Sequence, residues 1–162
     1  MQRLQGLFWR NQSGFTLVEL LLVVVLIGIL AVTIIPKDTG SQILKLDAAS
    51  KKVQADLRYA QNLAMTTGDS HGLRITGAGT YQVYNVVSSA IVESPYDHEP
   101  MTENFAEDYL GVTFDVADQA VNIRFNAYGQ PTLGGGESIM LRAAADSKLV
   151  QITTTSGFVS VL

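Results

Sequence analysis

The chain has 162 residues, with 15 acidic and 11 basic side chains and a formal net charge of −4. That balance excludes the broad basic footprint of general nucleic-acid binding, whose affinity comes largely from neutralised phosphates. Cysteine is absent, which excludes disulfides, a thiol nucleophile and thiolate metal sites but does not fix the compartment.

Residues 1–14 form a short polar segment with Arg3 and Arg10 and no acid. From Phe15 to Ile35 the only polar residues are Thr16, Glu19 and Thr33. A helix over that run reaches roughly 30 Å, the thickness of a bilayer's hydrocarbon core. Glu19 is the anomaly. A carboxylate costs at least ~2.5–3.5 kcal/mol at the centre of a membrane helix and less toward the interface, and it marks a functional site by default. The plain alternative is a single anchor helix with an acid tolerated near the headgroups. Arg3 and Arg10 place the leader in the cytoplasm and the rest outside. Lys37, Lys45, Lys51 and Lys52 downstream weaken that charge signal. Pro36, with Thr39-Gly40 behind it, predicts a kink or short break over 36–41, a continuous Pro-kinked helix being the alternative.

From Ser41 an amphipathic helix is predicted. Leu46, Ala49, Val53, Leu57, Ala60 and Ala64 recur at spacings of three or four and share a face, while Lys45, Lys52, Asp56 and Gln61 fall largely elsewhere. Gly68 is the expected left-handed cap. A helical unit from Phe15 to about Thr67 would measure roughly 80 Å.

Beyond Gly68 the period becomes that of strands, at 72–75, 81–87, 112–114, 121–125, 138–142, 149–153 and 158–161. Residues 76–80, 129–131 and 134–136 read as breaks. Between Glu93 and Leu110 lie six acids, Glu93, Asp97, Glu99, Glu103, Glu107 and Asp108, with no Lys or Arg, and the segment reads as a long exposed loop. The predicted fold class is α+β. A long N-terminal helix, transmembrane in its first half and amphipathic in its second, packs on a C-terminal antiparallel sheet. The predicted divisions are 1–14, 15–35, 36–67 and a β-rich head over 68–162.

No catalytic constellation stands out. His71 and His98, the two histidines, read as exposed polar residues. No serine lies in a nucleophile-elbow pattern, and Gly134-Gly135-Gly136 lacks the Lys-Ser/Thr of a phosphate loop. The acidic segment lacks the alternating ligands and central glycine of an EF-hand, so it reads as solvated or partner-facing rather than as a calcium site. No metal or other cofactor is expected. Arg124, Arg142 and Lys148 are the candidates for a small basic patch.

In an ordinary secretory signal the small residue at the cut follows the apolar run. Here Gly14 precedes it. Ser13-Gly14-Phe15-Thr16-Leu17-Val18-Glu19-Leu20-Leu21 resembles the class III leader of type IV prepilins and type II secretion pseudopilins. The resemblance implies that a membrane prepilin peptidase cuts between Gly14 and Phe15 and that the new amine of Phe15 is methylated. It implies a mature chain of 148 residues with a side-chain charge of −6, Arg3 and Arg10 being lost from the original −4. Gly28 and Pro36 fall where that family often weakens its helix. Glu19, fifth in the mature chain, would neutralise the Phe15 ammonium of its own chain or of a neighbour, the latter reporting subunit register. Arg58-Tyr59-Ala60-Gln61-Asn62-Leu63-Ala64, Phe125–Pro131 and Ile152–Val159 are similar to segments of the GspH/FimT minor pseudopilins.

The resemblance therefore implies a structural subunit, a minor pseudopilin or minor pilin, and not an enzyme. Its partners would be the prepilin peptidase, other pilins or pseudopilins, and an inner-membrane assembly platform. It would be a single-pass protein of the bacterial inner membrane with its head in the periplasm, passing later into a filament. The open alternatives are a DNA-binding minor pilin of an uptake pilus, a major pilin, and a membrane-tethered periplasmic enzyme.

Overall fold

A computed structural model describes residues 14–33, 39–118 and 121–162. The chain divides into two compact units, Met1–Lys37 and Asp38–Leu162.

In the first unit, α1 spans Leu17–Thr33. It begins two residues later than the apolar run because Thr16 caps it. The Glu19 N–H donates to Thr16 Oγ1 at 3.3 Å and to the Thr16 carbonyl at 3.1 Å, and the Leu20 N–H donates to the same carbonyl at 3.2 Å. Thr16 is the N-cap and Glu19 the third helical residue, the spacing of a capping box. Side chains 17–30 are exposed, and nearly all are apolar. Such a surface is stable against lipid or other helices rather than water. Among the described residues no helix is long and apolar enough to cross a membrane; the 17 residues of α1 span about 25 Å. The leader through Ser13, and Pro36 with it, lie outside the described residues, as does the 36–38 part of the expected break. Residues 39–41 are helical.

The second unit is built on α2 (Thr39–Thr67). The six stripe residues Leu46, Ala49, Val53, Leu57, Ala60 and Ala64 are all buried. Gly68 ends the helix at φ +79°, its N–H donating to the Ala64 carbonyl at 3.1 Å, a left-handed cap that glycine adopts without Cβ strain. Asp56 was expected on the solvent side but is buried at 7 % exposure.

The β-rich part contains two antiparallel sheets where the sequence suggested one. In the first the order is β3 (Thr102–Asn104), β2 (Thr80–Asn85), β1 (His71–Gly77), β5 (Asn122–Phe125), β6 (Pro131–Leu133). In the second it is β4 (Val112–Phe114), β7 (Ser138–Ala143), β8 (Asp146–Ile152), β9 (Val159–Val161). Helix α2 packs against strands of both. Strand β6 falls where a break was expected; its Pro131 opens an edge strand, a position that does not need a ladder N–H.

The largest correction concerns 93–110. The segment is not one exposed loop. It contains β3 and a short helix α3 (Phe105–Asp108), capped by the Asn104 side chain, which accepts from the Ala106 N–H. Phe105 is fully buried, in edge contact with Tyr81 at 5.8 Å between ring centroids and tilted against Phe114 at 4.9 Å. A run of acids had masked one aromatic anchor.

Candidate functional site

The site that the sequence singled out is built on the first turn of α1. Gly14 and Phe15 lie before the N-cap in non-helical backbone. Phe15 is 81 % exposed, and no atom lies within 4 Å of where a Gly14 side chain would stand. A small residue in open, non-helical chain suits an endopeptidase's access to the bond beside it. The Glu19 carboxylate makes no hydrogen bond or ion pair among the described residues, although its own N–H is taken by Thr16. Gly28 sits within α1 with nothing near its Cα side, so within one chain no close backbone approach demands a glycine there.

In the second unit residues 125–131 and 152–159 meet residues 58–64 of α2. Gln61 Nε2 donates to the carbonyls of Gly129 at 2.7 Å and Ser156 at 2.9 Å. Gln54 Nε2 and Arg58 Nη2 both donate to the Val159 carbonyl, at 2.9 and 2.8 Å. The Arg58 guanidinium also lies 5.4 Å from the centre of the Phe158 ring. These bonds clasp the last strand to the helix and satisfy backbone acceptors at its edge. The role of this cluster is architectural.

A second polar cluster ties the acidic segment to α2. Lys52 Nζ is 2.6 Å from Asp56 Oδ2 and 3.4 Å from Glu103 Oε2, and the buried Tyr81 hydroxyl donates to Asp56 Oδ2 at 2.7 Å. Burial pushes the Glu103 carboxyl up, with Lys52 opposing it. Burial also pulls the Lys52 ammonium down, but the bond to Asp56 and the charges of Asp56 and Glu103 outweigh it and the net direction is up. Burial, then Asp56, pushes the Tyr81 phenol well above its usual range. The cluster floors a cleft of about 800 Å³ between α2 and residues 94–103. Sequence reasoning missed it because Glu103 looked like one solvated acid among six.

The three candidates for a basic patch are each engaged by a different partner. Arg124 lies in the first sheet, bonded to the Tyr84 hydroxyl. Arg142, in the second sheet, is paired with Asp115, and Lys148 reaches Asp47 at 4.0 Å. His71 is buried rather than exposed, with Nδ1 3.0 Å from the Asp69 carbonyl; His98 is exposed. Among the described residues no cluster of three or more His, Asp or Glu side chains is arranged to hold a metal.

Residues 9–35 match the prokaryotic N-terminal methylation motif. No curated protein matches the chain. The fold is similar to the type IV minor pilin FimU of Pseudomonas aeruginosa strain PAO1 in two crystal forms. For the first the TM-score is 0.54 at 14 % identity, covering 72 % of this chain and 92 % of that one. For the second it is 0.55 at 12 % identity, covering 75 % and 90 %. At such identity the likeness is one of fold.

The matched residues include the apolar helix α1, and the motif is of the kind that type IV prepilins carry. The matched motif thus stands in a chain whose fold is like that of a type IV minor pilin.

Proposed function

We propose that the chain is a GspH/FimT-like minor pseudopilin or minor pilin of a type IV filament, serving type II protein secretion or pilus assembly. Residues 1–14 are the leader, cut between Gly14 and Phe15, and Phe15 is then methylated. Residues 15–35 anchor the precursor in the inner membrane by a single pass, with the assembly platform as the site of extraction, and later lie in the filament core. Gly28 and Pro36 loosen that helix for the change of surroundings. Residues 36–67 continue it under a periplasmic head over 68–162. Glu19 sets register by pairing with the Phe15 ammonium of a neighbour.

The observation that carries this reading is the exposed Gly14-Phe15 bond directly before a Thr16-capped apolar helix inside the matched motif. The minor rather than major role is supported by the likeness to FimU, itself described as a minor pilin. The separate partners of Arg124, Arg142 and Lys148 favour this reading over a nucleic-acid receptor. Mass spectrometry of the protein from cells that express a prepilin peptidase tests the reading. The mature chain is expected to begin at Phe15 with one added methyl group; a chain that still begins at Met1 refutes it.

A further inference from the structure

The outer face of the first sheet carries two arginines that neither the core nor the clasp uses. Along β1, Leu73 and Ile75 turn into the core, and by alternation Gly72 and Arg74 face the other way. Tyr84 of β2 stands opposite Gly72, and Gly72 stands opposite Arg124 of β5. A Cβ on Gly72 would clash with the Ile123 carbonyl oxygen, so β5 lies close against β1 here, and Tyr84 reaches across β1 to bond to β5. Its hydroxyl donates to Asn122 Oδ1 at 2.7 Å and accepts from Arg124 Nε at 2.9 Å. Arg74 lies over the same ring, its Cζ 4.8 Å from the centroid, while its Nε donates to Gln82 Oε1 at 3.1 Å. Tyr84 itself is only 3 % exposed.

One buried tyrosine thus positions two guanidinium groups, each anchored through Nε. Their terminal nitrogens make no hydrogen bond, and neither arginine forms an ion pair among the described residues. Arg58 and Arg142 differ: one is spent on the Val159 carbonyl and the other on Asp115. Two like charges gathered around one ring repel each other, and a shared counter-ion would relieve that repulsion. A planar fork held at its base and free at its tip is matched by a carboxylate, which takes two parallel N–H bonds.

We propose that Arg74 and Arg124, positioned by Tyr84 and Gln82, form a binding site for the carboxylates of an acidic loop on a neighbouring filament subunit. The proposal rests on the filament-subunit reading above. A protein carboxylate is favoured over a nucleic-acid backbone by charge. Residues 39–162 hold 13 acids and 8 bases, a net of −5 that repels a polyanion, and two fixed forks do not make a phosphate-tracking stripe. The kind of loop that fits is represented in this chain: residues 93–99 expose Glu93, Asp97 and Glu99 without any Lys or Arg.

The test uses the full chain, uniformly labelled with a nitrogen isotope, in detergent micelles, titrated with a hexaglutamate peptide and, separately, with inorganic phosphate and a single-stranded DNA oligonucleotide. The Nε–H signals of Arg74 and Arg124 are expected to move together with hexaglutamate while those of Arg58 and Arg142 stay. Arg74→Gln combined with Arg124→Gln should weaken binding, read at the Gly72 amide, by about tenfold or more, because two charge-assisted contacts are lost. Tyr84→Phe keeps the ring and should weaken it by roughly fivefold through loss of one positioning bond. The proposal is overturned by equal shifts at all four arginines, by no shift at Gly72, or by phosphate or DNA acting at lower concentration than hexaglutamate. None of these readouts depends on leader cleavage, so this proposal and the processing claim can fail separately.

Discussion

Replacing Lys52 by Met tests whether the Lys52–Asp56–Glu103 cluster holds the acidic segment on α2. Methionine keeps most of the stem volume and removes the charge. Asp56, 7 % exposed, is left with the Tyr81 hydroxyl at 2.7 Å, and Glu103 loses the ammonium at 3.4 Å. Stripping one partner from a fully buried pair costs about 3–5 kcal/mol. The Lys52 side chain is 36 % exposed, so solvent screens part of the interaction and about 2 kcal/mol is expected. For a head of this size each kcal/mol moves the melting midpoint by about 4 °C, giving a drop of about 8 °C. The pH dependence carries a sign. Burial raises the Glu103 carboxyl above its ordinary 4.5, so its contribution is fully present below that value and is lost as pH rises through the folded value. Removing Lys52 takes away an opposing charge and raises Glu103 further. The deficit of Lys52→Met should therefore be smallest near pH 4.5 and grow toward neutrality. Thermal melts of the parent and variant by far-ultraviolet circular dichroism, at both ends of that window, read it. A drop below about 2 °C at neutral pH, or one equal at both ends, refutes the reasoning.

Phe105→Ala should cost about 3–5 kcal/mol, since it empties the space between Tyr81 and Phe114 and frees α3; chemical denaturation would show the loss, and a value under about 1 kcal/mol would mean the segment is not anchored there. Gly157→Ala should destabilise by about 2 kcal/mol or more: φ is +67°, and the new Cβ would stand 2.8 Å from both Gln61 Nε2 and the Gly129 carbonyl. The same melts check it, with Thr155→Ala as a neighbour expected to be near neutral because Thr155 is exposed and its side chain makes no hydrogen bond among the described residues. Glu19→Ala should leave membrane insertion and cleavage at Gly14 intact and reduce incorporation into filaments, measured as the ratio of filament-bound to membrane-bound chain; normal incorporation would remove the register role.

The helical half was legible because one period governs it. The stripe from Leu46 to Ala64 repeats at three and four, and every member is buried. Gly68 was legible for a local reason, since a left-handed cap asks for glycine whatever the tertiary context. The second sheet was not legible as separate. Strand period reports which side chains alternate, not which strands pair, and β4 joins β7 across 23 residues of intervening chain. The segment 93–110 misled because charge density was read as solvent exposure. Phe105 and Glu103 show the reverse: an acid can be drawn in by a lysine on another element, and no local window contains Lys52. Arg74 and Tyr84 escaped notice for the same reason, as their association depends on the register between β1 and β2.

Glu19 has two roles to reconcile, one local and one between subunits. By spacing it is the third residue of a capping box, and an acid in a helix's first turn is commonplace on that ground alone. The box is only half closed, however. Thr16 Oγ1 takes the Glu19 N–H, while the carboxylate bonds to none of the described residues. The cap accounts for Thr16 and leaves the acid of Glu19 unused. In water an unused carboxylate costs nothing; among the apolar side chains that cover the rest of α1 it needs a cation. Within residues 15–35 no Lys, Arg or His supplies one. Cleavage at Gly14 would create a cation at Phe15, just ahead of the cap, where the helix dipole adds to the cost of positive charge. The acid and the new amine therefore each lack a partner until a pairing between chains, or within one, provides it, and that shared deficit is the physical basis for reading Glu19 as a register residue rather than as a cap.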